Sequence, residues 1–211
     1  IPTGQLQKVG PVAFLAHLYP ISMERDVPPP RPGIYAHPHR GIATMSYVLG
    51  GELQYRDSRG HRRTLGAGGL HWMNAGSGIV HEERPGIRLY TEGGVFHGVQ
   101  FWIVLPAAQK QSEPEYTALL KHDVPEATLP DHAGVLRILL GRCGEVRARI
   151  KSFLDEFVFH IRLNPKSAFS HSTRPGLEYG VFVPVEEIRV NGKLVGNSCV
   201  LCFAIDGQHI E

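Results

Sequence analysis

At 211 residues the chain is long enough for one large or two small domains, and with 42% apolar and 20% charged residues it has a globular rather than a disordered composition. Its 22 basic and 20 acidic side chains are interspersed and leave a net charge of +2, so no broad positive field is available to hold a phosphate backbone and direct nucleic-acid binding is not expected. No apolar run approaches the roughly 20 residues of a membrane span, no charged-then-apolar leader opens the chain, and three cysteines make no disulfide framework; a cytoplasmic, reducing setting without membrane contact is expected.

Along the chain, runs rich in Val, Ile, Phe and Tyr recur between Gly and Pro punctuation while helical periodicity is scarce, which predicts an all-β protein. Strands are expected at 13–18, 44–49, 52–57, 62–65, 69–73, 79–83 and 99–105, a spacing that suits a closed barrel or sandwich. Gly50-Gly51 and Ser58-Arg59-Gly60-His61 read as hairpin turns, and Arg56, Arg59, His61, Arg62 and Arg63 around the second read as a solvated loop tip. After Pro106 the pattern breaks: residues 107–130 are expected to connect two domains and to carry one short helix at 115–121 (EYTALLK). Strands resume at 135–140, 147–150, 156–163, 179–184, 187–190 and 198–205, with Val190-Asn191-Gly192-Lys193 the clearest hairpin signal. The reading is a first β domain over 1–106 and a second over 131–211; a start at Ile1 rather than at Met and a stop at Glu211 just past a strand suggest that the second is incomplete.

His37-Pro38-His39 places two imidazoles at i and i+2, which in an extended strand share one face. His81-Glu82-Glu83 repeats that spacing after the turn Ala75-Gly76-Ser77-Gly78, so Glu83 shares a face with His81 while Glu82 points away and is expected in solvent. Three imidazoles and one carboxylate from two strands make an open mononuclear site, of the kind that leaves room for water, dioxygen or a chelating substrate. Extending the alternation from His39 puts Ala43 on the ligand face and Met45, Tyr47 and Leu49 on the pocket wall, whereas Trp72, Gln100 and Trp102 read as core packing. His160 and His171 stand alone, which predicts a second domain without metal, and Cys199-Val-Leu-Cys202 reads as strand core, since residues i and i+3 face opposite ways and no second pair completes a zinc site.

The stretch HPHRGIATMSYVLGGELQYRDS from His37, the stretch LHWMNAGSGIVHEERP from Leu70, and HGVQFW from His97 resemble the signature of the pirin family of bicupins, densely over 36–105 and more loosely beyond, as at Glu113-Pro-Glu-Tyr116 and Asn164-Pro165. The resemblance implies two β-barrel cupin domains and one divalent metal ion, iron(II) first among nickel, cobalt, copper, manganese and zinc, bound in the N-terminal barrel by His37, His39, His81 and Glu83. Where pirins usually carry a glutamate four residues after the second histidine this chain has Ala43, which puts substrate handling beside the metal in question.

Two functions follow from the resemblance. One is a dioxygenase like the flavonol-cleaving quercetin 2,3-dioxygenases, taking a small aromatic chelating substrate and dioxygen, with Glu83 as the catalytic proton acceptor. The other is a redox-sensitive regulator that binds a protein partner, a transcription factor or a metabolic enzyme, without turnover. A site kept as a relic is a third outcome. An apolar cavity beside an open metal position separates the first from the others.

Overall fold

The β-branched and aromatic runs assemble as antiparallel sheets. In the computed structural model, which describes residues 8–211, the first half contains β1 (Val12–Met23), β2 (His37–His39), β3 (Ile42–Gly50), β4 (Glu52–Asp57), β5 (Arg62–Gly66), β6 (Leu70–Asn74), β7 (Ile79–Pro85), a short helix α1 (Ile87–Glu92) and β8 (Gly94–Val104). The segment expected as a helix at 115–121 is instead β9 (Glu115–Leu119), which pairs with β6 from Leu70↔Leu119 to Asn74↔Glu115. Its helix-forming letters are overridden because alternation lets Tyr116 reach the apolar interior, which an isolated helical turn could not do. The connection does carry single 3-10 turns, at Ala107–Gln109, Lys121–Asp123 and Pro130–His132.

Two sheets result, one of five strands in the order β1-β8-β3-β6-β9 and one of four in the order β2-β7-β4-β5. They close on an interior to which both contribute: Val48 and Phe96 from the first meet Leu53 from the second, and Met73 meets Tyr55 and Ile79. The other face of the five-stranded sheet is also buried. Ala43, Met45, Tyr47, Leu70, Trp72, Val99 and Ile103 pack there against Leu139, Leu140 and Ile150 of the second half. Full burial of a side chain such as Met45 or Leu70 contributes roughly 1.5–3 kcal/mol. The first sheet is therefore the wall between the two halves.

The second half opens with β10 (Glu126–Thr128) and β11 (Gly134–Leu140), which form a three-stranded sheet with Val158–Leu163, and continues as two-stranded ribbons. The Asn191-Gly192 hairpin forms as expected between Ile188–Val190 and Lys193–Val195, both turn residues having positive φ. Of the run expected at 147–150 only Arg147 is strand, the second residue of the short strand Val146–Arg147. Cys199 and Cys202 are exposed rather than in the core, on a strand that packs through Leu201 and Phe203. Among the described residues no helix is long and apolar enough to cross a membrane.

Candidate metal centre

β2 pairs antiparallel with β7 so that His37 lies directly across from His81. His37 and His39, two apart on one strand, therefore share a face with His81. Their ring centroids are 4.6–4.9 Å apart, and one ring nitrogen from each lies within 4.8 Å of the others. The turn that delivers His81 requires glycine at position 76: φ is +45° there, and a Cβ would run into the backbone carbonyl of Ser112.

Among these three side chains, the buried nitrogens lack partners. His81 is 1% exposed, and neither of its ring nitrogens has a hydrogen-bond partner; His39 Nε2 is likewise buried and unpartnered. Each such orphan costs roughly 1–3 kcal/mol unless something at the site satisfies it. His37 is more exposed, and its Nδ1–H donates to the Tyr35 carbonyl at 2.8 Å, which leaves the Nε2 lone pair as its free coordinating atom. Burial, reinforced by the neighbouring imidazoles, lowers the His39 pKa to about 4 and that of His81 to about 3. Both rings are neutral near pH 7, the form that binds a metal. The donor set fits a single divalent ion.

Glu83 is not part of this three-histidine group. Its carboxylate Oε2 accepts hydrogen bonds from Ser46 Oγ and Gln100 Nε2, each at 2.7 Å. Burial raises its pKa, opposed by those two hydrogen bonds and by His37. Glu82 faces the other way, as alternation requires, but it is not in solvent. It is 1% exposed, lies 3.6 Å from Arg56 Nε, and accepts the Gly33 N–H at 3.1 Å on each oxygen. The loop that ends in Tyr35 covers it and is pinned again by Arg84, which donates to the Pro30 carbonyl.

The ligand-face assignment of Ala43 is corrected. Gly41, with φ of +69°, turns the chain from β2 in one sheet to β3 in the other, so strand parity does not carry across it. Ala43, Met45 and Tyr47 face the second half, where the Tyr47 hydroxyl meets His160 Nδ1 at 3.0 Å and Arg137 at 3.0 Å. The even positions point inward, which is how Ser46 reaches Glu83. Gln100 and Trp102, expected as packing, line the centre instead, with Trp102 edge-on to His39 at 5.0 Å between centroids. Trp72 stays in the core. A surface depression of about 470 Å³ beside β2 and β7 is lined by Pro38, Arg40, Ile79 and Val80 among others and by one of the three imidazoles, His39, so it borders the centre at that residue.

Imidazoles from paired strands inside a two-sheet barrel are the arrangement of a cupin, and the solved structures that superpose on the chain agree with that fold. A quercetin 2,3-dioxygenase from Acinetobacter baumannii aligns with a TM-score of 0.87 at 21% identity, over 100% of this chain and 67% of that one. The bacterial pirin YhhW from Escherichia coli, in complex with nickel(II), aligns with a TM-score of 0.60 at 17% identity, over 99% of this chain and 79% of that one. The Pirin family model matches residues 1–103. A Pseudomonas aeruginosa protein named "Putative quercetin 2,3-dioxygenase PA2418" is 41% identical over 207 residues, which is 97% of this chain and 71% of that protein. The chain belongs to the pirin family.

Proposed function

We propose that this pirin is a metal-dependent dioxygenase of flavonol-type substrates, working from a centre in an N-terminal cupin domain (1–106) that is joined through 107–130 to a second cupin-like domain (131–211). The observation that carries the reading is the set of unpartnered ring nitrogens on His39 and His81, gathered with the free Nε2 of His37. His37, His39 and His81 would hold one divalent ion, iron(II) by first expectation, with Glu83 beside them as an exchangeable fourth ligand; nickel, cobalt, copper, manganese and zinc suit the same donors. The nickel(II) of the Escherichia coli pirin and the quercetin 2,3-dioxygenase names of the relatives support a metal and this substrate class.

When bound, the ion supplies Lewis acidity to a substrate's adjacent hydroxyl and keto oxygens and an open position for dioxygen. The rest falls to the chain. Glu83, with Oε2 occupied by Ser46 and Gln100, has Oε1 free to accept the substrate hydroxyl proton, and its raised pKa suits that exchange. Trp102, backed by Phe14 at 4.6 Å between ring centroids with the planes tilted by 36°, gives an aromatic wall next to His39 against which a planar ring can lie. In the overall reaction one dioxygen enters, the central ring of the flavonol opens, and carbon monoxide leaves.

The test is elemental analysis of the purified protein followed by loss of quercetin absorbance under air with the iron-loaded form. Stoichiometric metal and turnover that His37→Ala and Glu83→Ala both abolish are expected. Metal binding with quercetin left intact overturns the dioxygenase reading, and absence of metal binding overturns the site.

A further inference from the structure

Glu83 is held by a relay that crosses the barrel. Ser46 on β3 and Gln100 on β8 are cross-strand partners, and both reach over to Glu83 on β7 in the opposite sheet. Ser46 Oγ donates to Glu83 Oε2 at 2.7 Å, and Gln100 Nε2 donates to the same oxygen at 2.7 Å and to Ser46 Oγ at 3.0 Å. A primary amide can turn either end toward a carboxylate, and Trp102 decides which. Its indole N–H can only donate, and it donates to Gln100 Oε1 at 3.0 Å, so the amide nitrogen is the end that faces Glu83. The same indole stands edge-on to His39. Among the described residues no group donates to Glu83 Oε1.

We propose that Gln100, locked by Trp102, is a positioning residue that holds Glu83 by one oxygen, presents the other to the incoming substrate hydroxyl, and keeps the carboxylate from closing on the ion with both. The inference rests on the metal-dependent reading above. It gives Ser46 and Gln100 a reason to be polar inside a barrel whose adjoining interior is apolar, since a buried donor is retained at a cost unless it has a partner. It also assigns the side chain at position 102 a role that its ring alone would not require.

Cobalt(II)-loaded protein and quercetin turnover test it together. In Gln100→Leu the metal stoichiometry is expected to hold, kcat to fall roughly 10–100-fold with KM unchanged, and the visible cobalt spectrum to shift as the freed carboxylate changes its binding. Trp102→Phe keeps a ring but frees the amide to turn; the same spectral shift with a smaller loss of kcat is expected. A Gln100→Leu spectrum superimposable on the parent's, or losses of kcat that merely track lost thermal stability while Trp102→Phe behaves as the parent, would overturn the proposal. If the parent binds cobalt but leaves quercetin intact, the flavonol reading falls on its own, and the spectrum alone decides for or against Gln100.

Discussion

The two halves of the chain bury different chemistry. Among the described residues, the buried polar side chains of the first half are Thr44, Ser46, His71, Asn74, His81, Glu82 and His97, whereas the second half buries Arg137 alone. Arg137 is largely employed: it donates to the Tyr47 hydroxyl and to the carbonyls of Gly68 and Lys121, and its Nε, though without a hydrogen bond, lies 3.2 Å from a Glu126 carboxylate oxygen. It is a joint between the halves. His81 is deeper still, and neither of its ring nitrogens has a hydrogen-bond partner. A buried polar group with all its partners stabilises a structure, and one without them is tolerated where a ligand completes it. The orphaned side-chain nitrogens of His39 and His81 converge with His37 on one three-histidine group, whereas those of Arg137 and His171 in the second half join no such group among the described residues, and that contrast points to the first half for metal chemistry.

The sharpest way to break that contrast is Glu82→Ala. It removes the carboxylate that faces Arg56 and the Gly33 N–H behind the metal face, and a loss of about 3 kcal/mol is expected in denaturant unfolding. A loss below 1 kcal/mol would mean that Glu82 was dispensable to the fold. Arg137→Met in the second half is expected to cost about 2 kcal/mol by the same measurement while leaving metal stoichiometry unchanged. Loss of metal in that variant would show that the halves are coupled chemically as well as by packing.

His81→Leu is expected to act in opposite directions on function and stability. Metal binding is lost, yet the metal-free protein gains about 1–2 kcal/mol, because two orphaned buried nitrogens are replaced by carbon of similar volume. A metal-free variant less stable than its parent would show that the nitrogens have partners after all.

The smallest effect concerns pH. Burial lowers the His71 pKa to about 4, against an ordinary value of 6.5, although its ring meets the Tyr116 hydroxyl and the Leu53 carbonyl. The unfolded chain therefore binds more protons than the native one between those values, so stability falls as pH drops from 6.5 toward 4. His71→Gln is expected to remove about 1 kcal/mol of the stability difference between pH 7 and pH 5.5. Identical slopes for parent and variant would contradict it.

What could be read without coordinates were relations within a strand. The i, i+2 spacing of His37 with His39 and of His81 with Glu83 marks shared faces that the structure keeps, and β4 begins and ends where its composition says. Relations between sheets were not accessible. Alternation cannot be counted through Gly41, because the chain changes sheets there, so Ala43 was placed on the wrong side and Ser46 missed. Residues 115–121 satisfy helix and strand preferences about equally, and only the open edge of β6 decides between them. The link from Trp102 through Gln100 to Glu83 joins residues on two strands in opposite sheets, and no local pattern encodes it.

The claim on which the rest depends is that His37, His39 and His81 together hold one ion. X-ray absorption at the metal edge of the nickel- or iron-loaded protein addresses it most directly. Three imidazole nitrogens at about 2.0–2.2 Å, reduced to two in His81→Leu if any metal is retained there, is the predicted shell. A shell of oxygen donors alone, or one unchanged by that substitution, would contradict it.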